Sequence, residues 1–162
     1  MTTNAGRLKR VAYPSPPRSS MIARRTALLV SNVEEDRQFL GEVFSQQGWM
    51  LYNAPTVSSA LGFLRNRPVP IVITERDLPL GGWKDLLGAI QQLPRTPLLV
   101  VTAQLADEYL WAEVLNLGGY DILSKPFQVT ELLWVLGSAW QLAEDNGVHA
   151  PNAVGRALWA GV

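Results

Sequence analysis

Three short, almost wholly apolar runs constrain this chain most: Ala27-Leu-Leu-Val30, Ile71-Val-Ile-Thr74 and Leu98-Leu-Val-Val101. A run that is apolar at every position, not at alternate ones, suits a strand covered on both faces. The segments between them carry a helical period. From Glu34 to Gln47, Phe39, Leu40, Val43 and Phe44 recur at helical spacing. Glu34, Glu35 and Asp36 sit in that helix's first turn, where the dipole favours acids, and Gly48 ends it. Trp49–Asn53 reads as a further strand. Thr56 caps a helix that runs to Arg67, with Ala60, Leu61 and Leu64 inward.

The alternation continues to the end of the pattern. A loop holding Pro79, Gly81 and Gly82 precedes a helix near Trp83–Gln92. After the third apolar strand, a helix over Ala106–Leu117 stops at Gly118-Gly119. A short strand over Tyr120–Ser124 then leads to a last helix over Val129–Glu144. Five strand–helix pairs in about 120 residues predict an α/β domain. Its five strands form a doubly wound parallel sheet with helices on both faces, since parallel neighbours need crossovers. Function in such sheets gathers outside the carboxyl ends of the strands. Those ends present Ser31, Asn32, Glu75, Thr102 and Lys125.

Composition removes several classes of function. The 162 residues include no cysteine, which excludes disulfides, thiolate metal sites and cysteine nucleophiles. One histidine, His149, excludes a multi-histidine metal site. No apolar run approaches the ~20 residues of a membrane helix. The net charge of zero conceals an asymmetry. Residues 1–25 hold six basic residues and no acid, whereas residues 26–145 hold seven basic and all 14 acidic residues, a net of −7. An acidic body argues against nucleic-acid binding by the fold, leaving only the basic tail as a candidate for it. The tail, with its Pro and Ser, is expected to be a flexible segment. It lacks the apolar core of a secretory signal, and a cytoplasmic location is expected. No cofactor is expected either: Ser31-Asn-Val-Glu34 contains no glycine and so offers no glycine-rich phosphate loop to a flavodoxin-like small-molecule binder.

Four segments, in order, resemble the receiver domain of bacterial two-component response regulators. Leu28-Leu-Val-Ser-Asn-Val-Glu-Glu-Asp-Arg37 is similar to the first strand and its turn. Ile71-Val-Ile-Thr-Glu-Arg-Asp-Leu-Pro79 is similar to the phospho-acceptor strand and loop. Val100-Val-Thr-Ala103 matches the strand carrying the switch hydroxyl, and Gly118-Gly-Tyr-Asp-Ile-Leu-Ser-Lys-Pro-Phe127 the fifth strand and Lys-Pro-Phe loop. The resemblance spans residues 26–144 and implies strand order 2-1-3-4-5. It also implies a cis bond before Pro126.

The resemblance further implies that two acids after the first strand and an aspartate after the third hold Mg²⁺, and that the aspartate accepts a phosphoryl group. In this chain the two acids correspond to Ser31 and Asn32, and the acceptor to Glu75. The hydroxyl and lysine remain as Thr102 and Lys125. Ile122 stands where an aromatic residue is usual. Glu75 and Lys125 alone give this pocket no net charge, whereas the family's three carboxylates and one lysine give −2. Mg²⁺ is a hard cation that wants carboxylate oxygens. Without it, the charge on a transferring phosphoryl group is not neutralised. Glu75 is one methylene too long, and a misplacement of about 1 Å can cost ~100-fold in rate.

The expectation is therefore a degenerate receiver, not an enzyme, that does not use the usual Mg²⁺-dependent aspartyl route. Glu75 is expected to reach Lys125 and Thr102, either as a built-in anion standing where phosphoryl oxygens would sit or as a plain ion pair. The alternative is a phospho-accepting receiver using Glu75 or Asp77. Glu34, Glu35 and Asp36 are expected to be surface residues. Only 17 residues follow the last helix, too few for an output domain, so a stand-alone signalling module is expected.

In the family, the face made by the fourth helix, fifth strand and fifth helix is the usual partner surface. Here Leu110, Trp111 and Val114, with Trp134, Val135 and Leu142, are expected to present apolar surface there to a protein partner or second copy. The competing expectation is coverage by residues 146–162, whose anchors are Val154, Leu158 and Trp159.

Overall fold

The computed structural model describes residues 24–146, and the flanking segments, including most of the basic tail, His149 and the anchors Val154, Leu158 and Trp159, lie outside it. Five strands alternate with five helices: β1 (Thr26–Val30), α1 (Glu34–Gln46), β2 (Met50–Ala54), α2 (Val57–Asn66), β3 (Ile71–Glu75), α3 (Trp83–Ile90), β4 (Leu98–Ala103), α4 (Glu108–Leu117), β5 (Asp121–Ser124) and α5 (Val129–Asp145). The sheet is parallel throughout, in the order β2-β1-β3-β4-β5. Both the class and the strand order agree with the sequence expectation, and element ends differ from it by one or two residues.

The two-sided burial of the central strands follows from their alternation. Leu28, Val30, Val72, Leu99 and Val101 face one core with Leu64, Leu86, Ile90 and Val114. Ala27, Leu29, Ile73 and Val100 face the other, with Leu40, Phe44, Leu132 and Leu136. Helices α2, α3 and α4 therefore cover one face of the sheet, and α1 and α5 the other. β3, at the centre, is buried at every residue, Glu75 included.

Local chemistry sets the boundaries. Thr56 closes a reciprocal capping box with Ser59, its hydroxyl accepting from Ser59 N at 3.1 Å. Asp107 caps α4 by accepting from Leu110 N at 2.9 Å. Gly118 ends α4 in the left-handed region (φ 106°), where a side chain is strained.

Helical phase corrects part of the expected partner face. On α5 the inward stripe is Leu132, Val135, Leu136, Ala139 and Trp140, the i, i+3, i+4, i+7, i+8 series. Val135 is thus a core residue, not a surface one. Leu110 and Val114 likewise lie one turn apart on the buried side of α4. All three belong to the core clusters. Trp111 and Trp134 remain outward, at 49% and 75% exposure, and Leu142 is half-buried.

The approach of β5 to α4 is close. A Cβ on Gly119 would lie 2.5 Å from Val114 Cγ1 and 3.0 Å from the Val114 carbonyl, whereas one on Gly62 would meet nothing within 4 Å. Gly119→Ala is accordingly expected to destabilise the fold by about 2 kcal/mol through overpacking. Gly62→Ala, in an open helical position, should stabilise it by roughly 0.5–1 kcal/mol. Denaturant unfolding of the two variants checks the contrast, and equal effects of the same sign would contradict the packing account.

Candidate functional site

Four strand ends and one helix converge at the carboxyl edge of the sheet. Backbone hydrogen bonds brace the segments leaving it: Ser31 N to Ala54 O (3.0 Å), Arg76 N to Thr102 O (2.9 Å) and Lys125 N to Ala103 O (3.0 Å). These bonds extend the ladder beyond β1, β3 and β5, so the side chains at 31, 75 and 125 start from fixed backbone.

At the centre, Lys125 Nζ donates to Glu75 Oε1 at 2.5 Å. The same nitrogen lies 2.5 Å from Asp36 Oδ2. The Lys125, Asp36 and Glu75 side chains are only 11–15% exposed. Ser31 Oγ donates to Glu75 Oε1 at 3.2 Å and accepts from Val33 N at 3.0 Å. One ammonium therefore bridges two carboxylates in a largely dry site, and a buried hydroxyl supports one of them.

Several expectations change here. Asp36 is not a surface dipole residue: it enters the site and takes the pocket from the net zero of Glu75 and Lys125 to −1. The hydroxyl on Glu75 is that of Ser31 and not of Thr102. Although Thr102 sits opposite Glu75 in the β3–β4 register, its Oγ1 donates to Thr74 O at 3.4 Å. Asn32 is exposed, one residue past the buried Ser31. Asp77 is exposed in the loop after β3, its backbone bridged to Gly82. Ile122 on β5 is partly buried against the core. The Lys125–Pro126 peptide is cis.

Asp36 arrives by packing. Phe39, one turn along α1, stacks on Phe127 of the Lys-Pro-Phe loop, with ring centroids 5.8 Å apart. That contact fastens α1 to the loop that carries Lys125. The sequence held the signal: Asp36 is four residues before Leu40 and seven before Val43, on the buried stripe of α1.

The electrostatics follow from burial and proximity. Burial lifts the Glu75 carboxyl above the usual range; Lys125 pulls it down, the Asp36 carboxyl pushes it up, and the balance is upward. Burial also opposes charge on Lys125, but the carboxylates of Asp36 and Glu75 outweigh it and hold the ammonium above the ordinary lysine value. The lysine's contribution to stability is therefore complete below the unfolded-state lysine value and is lost only as pH rises through the higher folded one.

The comparisons with known proteins bear on this geometry. The sequence model of the response regulator receiver domain matches residues 27–136. The chain belongs to the response regulator receiver family. Among curated proteins it is 28% identical to the response regulator protein PilR of Pseudomonas aeruginosa over 131 residues, covering 80% of this chain and 29% of PilR. It is also 28% identical to the KDP operon transcriptional regulatory protein KdpE of Escherichia coli, covering 65% of this chain and 46% of KdpE. The chain thus spans less than half the length of these relatives. Among solved structures, the signal receiver domain of an HD domain-containing protein from Pseudomonas fluorescens is 31% identical with a TM-score of 0.68, covering 75% of this chain and 98% of that one. The chemotaxis response regulator CheY4 of Vibrio cholerae, 17% identical with a TM-score of 0.66 over 72% of this chain and 98% of its own, shares the fold. Among the described residues of this receiver, no helix is long and apolar enough to cross a membrane.

Removing the bridging cation should leave two carboxylates facing each other out of water. Lys125→Met is expected to destabilise the receiver by roughly 3 kcal/mol at neutral pH. The cost of the uncompensated Glu75 carboxylate builds up above the ordinary carboxylate value and is complete above the raised folded-state one, so the gap to wild type should narrow as pH falls toward the ordinary value. Urea unfolding across the pH range checks this, and a gap independent of pH would contradict it.

Proposed function

We propose that this receiver works as a protein-interaction module in signal transduction and does not run Mg²⁺-dependent aspartyl phosphorylation. The observation that carries the proposal is the position of Lys125 Nζ, 2.5 Å from both Glu75 and Asp36. A lysine in contact with both carboxylates offsets one of their two charges and leaves the pocket at −1, a weaker draw for a divalent cation than a pocket of −2. To bind Mg²⁺ through Glu75 or Asp36, the site would have to give up that carboxylate's contact with the ammonium. The acceptor-equivalent oxygen, Glu75 Oε1, is already committed to Lys125 and Ser31. Asp77, the alternative acceptor, is exposed in the loop beyond β3.

On this reading Glu75 holds the lysine in one arrangement, and signalling depends on what the surface binds. Trp111 on α4 and Trp134 on α5 are among the large exposed side chains of these helices, with Tyr109, Leu117 and Val129, that could meet a protein partner or second copy. One of the neighbours of similar fold is itself a beryllofluoride-activated receiver dimer, that of NtrC4, at 19% identity with a TM-score of 0.67.

Titration with Mg²⁺, with and without beryllofluoride, tests the chemistry. The amide signals of residues 31–36 and 75–77 and of Lys125 and Phe127 are expected to stay in place, and acetyl phosphate should leave no hydroxylamine-sensitive label. A saturable response at sub-millimolar Mg²⁺, together with such a label, would overturn the proposal.

A further inference from the structure

The outer face of α5 carries an open groove of about 490 Å³. It runs from Leu133 and Trp134, past Gly137 and Ser138, to Leu142 and Asp145. Its apolar floor is unusual for a face turned away from the core. Gly137 adds to it, since a Cβ there would meet nothing within 4 Å. Most of the groove lies beyond residue 136, where the match to the receiver family stops.

Two features of the groove indicate what covers it. First, its far rim is the end of α5 itself, at Asp145, and 16 residues follow Asn146. Second, that rim is electrostatically unbalanced. Glu144 and Asp145 stand at the helix C-terminus, where the carbonyl dipoles already concentrate negative charge, and no basic residue lies in the last turn. The following segment supplies the complement. Gly147 and Pro151 are residues that stop a helix and turn the chain. Arg156 carries the only charged side chain beyond Asp145 other than His149 when protonated, and Leu158 and Trp159 supply apolar bulk. Trp134 lies eleven residues before Asp145, about 17 Å along the helix. Eight residues after Pro151 reach roughly 26 Å when extended, enough to return along it.

We propose that residues 147–162 fold back along α5, seating Leu158 and Trp159 beside Trp134 and Gly137 and bringing Arg156 to the acidic end of the helix. The segment then acts as an internal occupant of the α5 surface, and a protein partner that uses Trp134 must displace it. This deepens the proposed function by naming how its contact surface is regulated, and rests on that reading only in treating the Trp134 face as a docking surface.

The test uses the full chain and a soluble paramagnetic agent, read at the Trp134 indole and the Gly137 and Ser138 amides. In the wild type these signals are expected to be protected at every protein concentration. The double variant Leu158→Asp, Trp159→Asp should raise their relaxation enhancement several-fold. Gly137→Leu, which fills the groove without touching the core, should do so at the Trp134 indole and Ser138 amide. Signals exposed equally in wild type and variants would overturn the proposal. So would protection that appears only on concentrating the protein and ignores the tail variants, because a second copy would then be the occupant. Neither result touches the Mg²⁺ titration, so failure of this inference is separable from failure of the phosphorylation reading.

Discussion

The ammonium of Lys125 stands between two carboxylates at the carboxyl end of the sheet, and the rest of the site is arranged around that contact. β3 delivers Glu75 from a position buried along its whole length. The loop after β5 delivers Lys125, pinned by its backbone to Ala103. The first turn of α1 delivers Asp36, fastened by the stacking of Phe39 on Phe127. Each charge alone would be expensive in a setting this dry, and the one ammonium offsets part of the cost of both carboxylates. The same arrangement that makes the site stable makes it a poor host for a second cation.

If the proposed function holds, the arrangement is a physical picture of how a receiver can lose its chemistry and keep its fold. Strand packing depends on the apolar residues of β1, β3 and β4, which face two separate cores. None of them takes part in the charge contacts. Serine and asparagine at the end of β1 remove two carboxylates, and Asp36 returns one from a different element. The returned charge lies where Lys125 already reaches, so it helps to hold the ammonium charged while opposing ionisation of Glu75. On the proposed reading, the fold goes on presenting surface while both carboxylates of the pocket stay engaged with Lys125.

Much of this was legible in the sequence. Fully apolar runs of four residues announce doubly covered strands, and Gly118-Gly119, Thr56 and Gly48 mark where helices stop or start. The Glu75–Lys125 pair followed from their places at the ends of β3 and β5. What was missed was a matter of phase. Asp36 was assigned to the dipole of α1 because it is acidic and early, although its spacing to Leu40 and Val43 places it on the buried stripe. Val135, Leu110 and Val114 were assigned to a surface because their helices carry apolar residues on more than one side. Only the stripe that begins at Leu132, and the Leu110–Val114 turn, show which side is the core. The choice of Ser31 over Thr102 as the hydroxyl on Glu75 depends on side-chain direction, which register alone does not carry.

The most direct test is a crystal of the receiver grown with manganese, examined by anomalous scattering at the end of β3. The account predicts no ion there, with the lysine nitrogen in contact with both acids. An octahedrally ligated ion bonded to the side chain at position 75, with the lysine turned away, would contradict it.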